Sequence, residues 1–520
     1  MQKDSPSKLL HWQAWFYRHL PFITVLLLFT VFQCYNLDRF PAPRCDEPWL
    51  MQPSLQLINK GEPGLPMFRR LGGNIEHYWL TSPVQFWSLA IFFKLFGFGL
   101  LQARLFNLLM SLLVLLSIYL IMSHLFSHRV GALTALLLSI DGNYIYWTKI
   151  YRSDFPVAAC CFLTLLLVLK AKGKVLNWFT IGFLTAAGLL IHPNALLLLG
   201  LVPMWVLIGE DRKRILSRCL PSCIFGFLLL FSPFLYKVSK HWPEFVAQWS
   251  SNQTRLRAAS GSGLWLNFIS EWERFLRWPK AWSLLGSPIP PWLVGLIALL
   301  ILICIASLLF QRFHKESLYL LTGLFATAVF LALTDSRKVG YYLPLLSPWI
   351  AGVVALQMSR FIDWMKEGWK VWRSLARLSA VTSCSIVGLG FCLIVWNMAT
   401  IVSKASTKIP ISETALELQK IVPKDAIISG RTIYWLAFAQ VADMSEKYLV
   451  FHKEIVCNGR LREGKPLVLI VDEKGIGRRR FFKKFSKKHP ELLEKIGEIL
   501  ASCYGKLEIF LVKECHLPTA

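Results

Sequence analysis

The sequence predicts an all-α polytopic membrane protein, with about 11 transmembrane helices plus interfacial helices, and a small C-terminal α/β soluble domain. Of its 520 residues, 55% are hydrophobic and 17% are charged, and the mean hydropathy is +0.47. Soluble proteins average about 45–50% apolar and about 25% charged residues. The apolar residues form separate long runs, whereas residues 403–520 alternate short apolar and polar segments. This composition excludes disordered, collagen-like, coiled-coil and disulfide-stapled proteins.

The membrane spans are predicted from apolar runs that polar loops separate. Lys3, Lys8 and Arg18 precede the first run and no small-residue cleavage site follows it, which predicts an uncleaved first helix. The sequence His192-Pro193-Asn194 divides one long run in two, because proline interrupts helical hydrogen bonds. The predicted spans cover residues 21–34, 103–122, 130–147, 155–170, 176–191, 194–208, 219–236, 291–310, 318–334, 341–358 and 380–401.

The distribution of basic residues predicts the orientation of these spans. With the N-terminus in the cytoplasm, the short cytoplasmic segments hold 18 Lys and Arg residues, and the short loops opposite hold four. This asymmetry follows the positive-inside rule. We therefore ascribe the net charge of +26 to membrane topology and anionic lipid, and we expect no nucleic-acid partner.

The chain is predicted to comprise a membrane domain, 1–402, and an extracytoplasmic α/β domain, 403–520. Two long outer loops, 36–102 and 237–290, belong to the membrane domain. The first loop contains two helical segments, 47–60 and 81–98, that are typical of the membrane interface. The second loop is rich in tryptophan, which is also typical of the interface. We expect these segments together to cover a cavity on the outer side. In the C-terminal domain we predict helices at 412–421 and 478–500 and strands at 426–429, 467–471 and 507–512.

The first chemical signal is the pair Asp46-Glu47, which follows the first span at the predicted start of a helix. Backbone N–H groups and the helix dipole stabilise an ionised carboxylate at such a position. The pair is therefore a candidate catalytic site. The structural alternative is an acidic helix cap.

A second signal lies at the outer junction of the third and fourth spans, where Lys149, Arg152 and Asp154 occur within six residues. Ionisable groups at membrane depth are costly and are functional candidates by default. The structural alternative is an ion pair between Arg152 and Asp154 that only neutralises charge.

The third signal is the segment from Asp335 to Pro344, which contains Arg337, Lys338 and Tyr342. These cations lie at the outer mouth of a span, against the positive-inside trend, and arginine and lysine are the usual ligands of phosphate. The alternative is that they are interfacial anchors.

Weaker candidates are His77, Arg104 and His192, which are all predicted on the outer side. A single histidine is more often structural than a metal ligand, and these residues do not form a recognisable metal set. The sequence contains no Walker loop, dinucleotide fingerprint or Gly-x-Ser-x-Gly elbow. It therefore lacks the motifs that ATP-driven transport and serine hydrolysis require.

In their order and placement, these features resemble the GT-C glycosyltransferases, which include protein O-mannosyltransferases and lipid A aminoarabinose transferases. In one respect the chain departs from the family: Leu80-Thr81-Ser82-Pro83 stands where Lys-Pro-Pro often precedes the second juxtamembrane helix, with Arg69, Arg70 or His77 as possible substitutes. The matching residues are Asp46-Glu47, Ser82-Pro83, Phe86-Trp87, Phe92-Phe93-Lys94-Leu95-Phe96-Gly97, Arg104, Arg152-x-Asp154, Lys338, Tyr342, Pro344 and Pro348.

The resemblance implies an inverting transfer of a sugar from a polyprenyl-phosphate donor to an acceptor hydroxyl of a lipid, glycan or protein outside the cytoplasm. Asp46 would be the base that takes the acceptor proton, with Glu47 as a secondary candidate, and Asp154 would orient the acceptor or a cation. His77, Lys149 and His192 are acceptor-side or secondary candidates. The donor phosphate would be held by Arg152, Lys338, Arg337, Tyr342 and Arg104.

The resemblance calls for no cofactor, although a divalent cation remains an alternative. It implies a multi-pass protein of the bacterial inner (plasma) membrane whose active site and C-terminal domain are extracytoplasmic. Two other functions are compatible with the sequence: a transporter or flippase of polyprenyl-linked sugars, and a non-catalytic membrane scaffold. The absence of repeated halves argues against a transporter.

Overall fold

The protein is mostly helical and has a small C-terminal sheet. The computed structural model describes residues 6–68, 78–79, 83–171, 173–209, 215–256, 262–276, 291–310, 314–335, 338–368, 403, 411–423, 425–430, 434–439, 448–450, 466–472, 487, 493–501 and 505–512. The chain divides into two compact units. The first unit is Met1–Tyr35, Asn107–Lys149 and Ser153–Ile401, and the second is Asn36–Phe106, Ile150–Arg152 and Val402–Ala520.

Helices account for most of the described chain before residue 402. Short 3-10 turns occur at Pro66–Phe68, Pro193–Leu196 and Gly340–Tyr342. The α-helices are α1 Pro6–Cys34, α2 Asp46–Lys60, α3 Pro83–Phe96, α4 Leu100–Leu125, α5 His128–Ile140, α6 Gly142–Thr148, α7 Asp154–Lys170, α8 Val175–Leu189, α9 Leu197–Ile208, α10 Leu220–Lys240, α11 Trp242–Leu256, α12 Ser262–Ile269, α13 Pro291–Phe310, α14 Lys315–Thr334 and α15 Leu343–Gly368.

Five helical segments in the described part of the chain are long and apolar enough to cross a membrane. Further apolar helices of 10–17 residues occur among the same residues, so the total of about eleven spans stays a prediction. The predicted span 380–401 lies outside the described residues. The five segments are Gln13–Cys34, Leu100–Leu125, Ser217–Lys240, Lys315–Thr334 and Gly340–Asp363.

The predicted span 130–147 is two helices and not one, because Asp141 ends α5 and begins α6. Its Oδ1 accepts a hydrogen bond of 3.1 Å from the backbone N–H of Asn143, which caps α6. The predicted interruption at His192-Pro193-Asn194 is confirmed: α8 ends at Leu189, and the 3-10 turn Pro193–Leu196 leads into α9.

Glycine allows a close helix contact in the first unit, between α8 and α10. A Cβ atom at Gly182 would stand 1.8 Å from the carbonyl oxygen of Cys223, and one at Gly226 would stand 2.2 Å from that of Phe179. The two backbones therefore touch where no larger residue fits. Small residues have this role at helix interfaces in membranes.

The C-terminal sheet has five strands, β1 Ile427–Gly430, β2 Tyr448–Val450, β3 Leu467–Asp472, β4 Leu493–Ala501 and β5 Gly505–Val512. Their order is β2-β1-β3-β5-β4, with β1 parallel to β2 and β3, and β5 antiparallel to β3 and β4. Helix α16 Ile411–Ile421 and the short helix α17 Trp435–Phe438 accompany the sheet.

One prediction for this domain is wrong. The segment 478–500 was expected to be helical, but its end forms the strand β4. Hydrogen bonding to β5 along eight residue pairs overrides the local helical spacing, and Gly497, at a β-bulge, disfavours a helix further. The predicted helix 412–421 and the strands near 426–429, 467–471 and 507–512 are confirmed.

Candidate active site

The candidate site begins at the first turn of α2. The preceding prolines, Pro41 and Pro43, cannot donate a backbone hydrogen bond, and Pro48 is tolerated because it lies in the first helical turn. Asp46 and Glu47 are the first two residues of this helix. The helix ends at Gly61, whose φ of +78° is the left-handed conformation that glycine adopts at low cost.

Glu47 is a fully buried carboxylate whose oxygens accept four hydrogen bonds. Arg104 approaches with two nitrogens: Nε donates to Oε1 at 2.8 Å, and Nη2 donates to Oε2 at 2.9 Å. The backbone N–H groups of Arg44 and Tyr151 donate to the same carboxylate at 2.7 and 3.1 Å. Glu47 therefore ties the start of α2 to the segment 150–152.

Arg104 is buried as completely as its partner. Its remaining terminal nitrogen, Nη1, donates to the carbonyl oxygen of Leu37 at 2.8 Å. A buried charge is tolerated only when it is paired and hydrogen-bonded. This bidentate pair therefore stabilises the second unit. Glu47 was predicted to be a catalytic candidate and Arg104 a phosphate ligand, but in the structure these two residues bind each other.

Asp46 lies in a different environment, although it is the next residue in the chain. Its side chain is 37% exposed, and its Oδ2 accepts a hydrogen bond from Nη1 of Arg152, which is 12% exposed. The thiol of Cys45 lies 3.6 Å from Oδ1. The structure thus brings Asp46 and Arg152 together as a partly accessible ion pair.

Two other ionisable groups near Asp46 stay neutral at ordinary pH. Desolvation, together with the adjacent Asp46 carboxylate, raises the pKa of the Cys45 thiol above its usual value. Burial raises the pKa of the Tyr151 phenol far above its ordinary range, although a hydrogen bond from Gln85 opposes the shift. Neither residue competes with Asp46 as an anionic base.

A second charged cluster lies in the first unit, around the fully buried Arg274. Its guanidinium donates to Glu271 Oε1 at 2.5 Å, to Asp335 Oδ2 at 2.8 Å and to the carbonyl oxygen of Val339 at 2.9 Å. Lys338 Nζ lies 3.0 Å from Glu271 Oε2 and donates to the carbonyl oxygen of Ala332 at 2.8 Å. Two cations and two carboxylates therefore balance one another.

Sequence analysis did not identify Glu271 and Arg274, because they lie in the tryptophan-rich loop 237–290, which resembled an interfacial segment as a whole. The available signal was their spacing of three residues, which places them on one face of a helical turn. Lys338 was predicted from the sequence. Its side chain is 1% exposed, and its φ of +52° is unusual for a residue with a side chain.

Lys149 is fully buried at the end of α6. Its Nζ donates to the carbonyl oxygens of Gln33 at 2.7 Å and Tyr35 at 3.1 Å, at the C-terminus of α1. A cation at this position satisfies carbonyl groups that have no helical partner and interacts favourably with the helix dipole.

The other described candidates of the first unit also lie at helix ends. Asp154 is 2% exposed in the first turn of α7. The Nδ1 atom of His192 accepts a hydrogen bond of 3.1 Å from the backbone N–H of Asn194, and its ring centroid lies 5.8 Å from that of Tyr342. The structure thus brings together His192 and Tyr342, which sequence analysis predicted separately.

Two candidates, His77 and Arg337, lie outside the described residues, as do Arg69, Arg70 and Ser82. Within the described ranges, no group of three or more His, Cys, Asp or Glu side chains is arranged to hold a metal ion.

Comparison with known families and structures identifies the fold. The family model for dolichyl-phosphate-mannose-protein mannosyltransferase matches residues 81–236. No curated protein matches the chain by sequence.

Solved structures match much more of the chain. ArnT from Cupriavidus metallidurans, bound to undecaprenyl phosphate, aligns with a TM-score of 0.61 and 15% identity over 94% of this chain and 97% of that chain. The oligosaccharyltransferase AglB from Archaeoglobus fulgidus, in complex with an inhibitory peptide and a dolichol-phosphate, aligns with a TM-score of 0.52 and 12% identity. That alignment covers 88% of this chain and 70% of AglB.

These matches confirm the predicted resemblance at the level of the fold: the chain has the fold of the GT-C membrane glycosyltransferases. Together with its apolar helices, this fold makes the protein an integral membrane protein.

Proposed function

We propose that the protein is an inverting glycosyltransferase that moves a sugar from a polyprenyl-phosphate donor to an acceptor hydroxyl. The observation that carries this proposal is the contrast between two adjacent carboxylates. Glu47 is buried and has four hydrogen-bond donors, whereas Asp46 is partly accessible and pairs with a cation. The fold shared with ArnT and AglB supports the same reaction class.

In the proposed reaction, the acceptor oxygen attacks the anomeric carbon on the side opposite the phosphate. The new carbon–oxygen bond forms as the bond to the phosphate oxygen breaks, and the configuration inverts. The Asp46 carboxylate takes the acceptor proton, as a positioned general base does. Polyprenyl phosphate leaves as an anion and needs no proton from a second carboxylate.

Arg152 is the best-placed cation for the departing phosphate in this proposal. A guanidinium binds phosphate through two parallel N–H groups, and Arg152 already lies at the accessible carboxylate. When the donor phosphate takes over this guanidinium, the Asp46 carboxylate loses its ion-pair partner and is left accessible to the acceptor hydroxyl.

The remaining candidates are assigned supporting functions within the proposal. Lys338 is a further donor-phosphate ligand, which would have to exchange its contact with Glu271 for the phosphate. Asp154 orients the acceptor, and Lys149 and His192 are acceptor-side or secondary candidates. On the donor side, Tyr342 and Arg337 are further phosphate ligands, and His77 is an acceptor-side candidate; Arg337 and His77 lie outside the described residues. Arg104, which was also predicted to bind the phosphate, would act only by holding Glu47 in place, because its guanidinium is already bound to that carboxylate.

We further propose that the donor comes from the membrane and that the reaction takes place outside the cytoplasm. ArnT was solved with undecaprenyl phosphate and AglB with a dolichol-phosphate and a peptide. These ligands support a lipid-linked donor for this chain. The excess of basic residues on the predicted cytoplasmic segments supports this orientation. The membrane in this proposal is a bacterial inner membrane.

The test is to incubate the purified protein with radiolabelled polyprenyl-phosphate sugars and extracted membranes. A transferase moves the label from the polyprenyl phosphate to an acceptor and releases polyprenyl phosphate. A transporter or flippase moves the intact labelled lipid across vesicles and leaves the sugar–phosphate bond unbroken, which would contradict the proposal.

A further inference from the structure

Among the described residues, the C-terminal domain touches the first outer loop at two places within the second unit. Strand β2 lies beside the 3-10 turn Pro66–Phe68. The indole of Trp435, in α17, meets the ring of Phe98 edge to face, with centroids 6.0 Å apart and an interplanar angle of 85°. Trp435 is fully buried, so this contact is part of a packed interior.

The first contact leads to the helix that carries Asp46. The ring of Phe68, in the turn beside β2, lies 5.1 Å from the indole of Trp49 in α2. In the same turn, the backbone N–H of Met67 donates to Oε1 of Gln52, a buried side chain of α2, at 3.1 Å. Trp49 follows Asp46 by three residues, and so it lies one turn away on the same helix face.

The second contact leads to the segment that carries Arg152. Phe98 packs edge to face on Phe93 of α3, with centroids 4.9 Å apart. Eight residues earlier on α3, a spacing that returns to one helix face, Gln85 donates to the phenol oxygen of Tyr151. Tyr151 adjoins Arg152, and its backbone N–H donates to Glu47.

We propose that the C-terminal domain positions the Asp46–Arg152 pair through these two contacts. Helix α2 is held from the β2 side and the segment 150–152 from the Trp435 side, so both members of the pair depend on the same domain. Phe98 and Trp435 are the positioning residues of the second contact. This inference rests on the proposed function only where it concerns the rate of transfer.

The test uses full-length variants and hydrogen exchange of individual backbone amides. Phe98→Ala removes the ring that meets Trp435. Phe96→Ala, the control, removes a 61% exposed ring whose described contact is with Phe92. In Phe98→Ala we expect the Tyr151 amide to exchange about 2- to 10-fold faster, because an edge-to-face aromatic pair stabilises to that extent. Amides of α8 should not change, and Phe96→Ala should match the wild type.

A double-mutant cycle with Trp435→Leu identifies the contact. If Phe98 acts through Trp435, the double variant exchanges at Tyr151 no faster than the faster single variant, since the two substitutions break one contact. Additive increases would contradict the inference. If Phe98→Ala does not fold, Phe98→Leu keeps most of the apolar volume while removing the aromatic pair, and the same comparison applies.

Transfer supplies the functional half of the test. We expect single-turnover transfer at saturating donor in Phe98→Ala to fall roughly tenfold or more. A displacement of about 1 Å far from the reacting atoms can have such an effect. Wild-type transfer or unchanged Tyr151 exchange in Phe98→Ala would overturn the inference, as would a uniform increase in exchange over the whole chain. Full transfer by Asp46→Asn in the same assay would instead overturn the proposed function.

Discussion

At the scale of the residue, burial and hydrogen bonding assign different roles to two adjacent acids. Glu47 and Asp46 share the first turn of α2 and the same sequence neighbourhood. Glu47 is fully buried and accepts four hydrogen bonds, whereas Asp46 keeps over a third of its side chain accessible. The sequence predicts both as candidates, because both are acids at the start of the same helix. Their different surroundings arise from the different faces of the helix on which they lie.

The first residue-scale prediction concerns the stability effect of Glu47→Gln. This change leaves the buried Arg104 guanidinium without its countercharge, and breaking a buried pair in this way costs about 3–5 kcal/mol. Asp46→Asn breaks a partly exposed pair and should cost about 1 kcal/mol or less. Thermal unfolding of the two variants in the same detergent measures the difference. Equal destabilisation would contradict the assignment of Glu47 as the structural acid.

The second residue-scale prediction concerns Arg152. Arg152→Gln keeps a polar side chain but loses the charge that would hold the lipid phosphate. Affinity for undecaprenyl phosphate should fall about 10- to 100-fold, the range expected for a hydrogen bond to a charged group. The matched control is Arg129→Gln, because Arg129 forms a more exposed ion pair with Asp363. An equal loss in both variants would indicate a general charge effect instead of a phosphate site.

At the scale of the element, periodic apolar patterns predict helices well and partner-dependent strands poorly. The predicted segments 47–60 and 81–98 correspond to α2 and α3 within two residues at each end, because their apolar spacing and glycine ends are local signals. The strand β4 forms because it pairs with β5. The residues of β5 lie outside the segment 478–500, so the local pattern of that segment does not predict the pairing. Arg274 was missed for a similar reason, since the sequence does not show its contacts with Asp335 and Val339.

The turn that carries Lys338 yields an element-scale prediction. Its φ of +52° costs a residue with a Cβ atom about 1–2 kcal/mol, and glycine avoids this cost. Lys338→Gly and Lys338→Ala remove the same ammonium group from Glu271. We therefore expect the glycine variant to be more stable than the alanine variant by about 1 kcal/mol in thermal or denaturant unfolding. Greater stability of the alanine variant would show that this backbone conformation is not maintained.

At the scale of the whole molecule, composition and the pattern of apolar runs predict a polytopic membrane protein with a C-terminal α/β domain. The mostly helical fold, with its apolar helices and small C-terminal sheet, confirms this general form. The number of spans is less predictable, because several apolar helices are shorter than a bilayer requires. The division of the chain also depends on distant contacts. The loop 36–102 was predicted with the membrane domain, and the segment Asn36–Phe106 joins Val402–Ala520 in one compact unit.

The orientation is the testable prediction at this scale. Lys420, 70% exposed in α16, should lie outside the cytoplasm, and the exposed Lys174 should lie inside. Each is replaced by cysteine in a variant whose twelve native cysteines are changed to serine or alanine. A membrane-impermeant maleimide should label Lys420→Cys in intact cells, and Lys174→Cys only after lysis. The reverse pattern would contradict the positive-inside assignment and the proposed location of the reaction.

The role of Asp46 as the base that takes the acceptor proton can be tested by single-turnover sugar transfer in Asp46→Asn. Asparagine has nearly the same size and keeps an acceptor oxygen, but it cannot act as the base. Transfer should fall roughly 10²–10⁴-fold, the usual contribution of general-base catalysis, while undecaprenyl phosphate still binds. The control Asp363→Asn breaks an exposed aspartate–arginine pair elsewhere and should transfer at the wild-type rate. Wild-type transfer by Asp46→Asn would contradict the account.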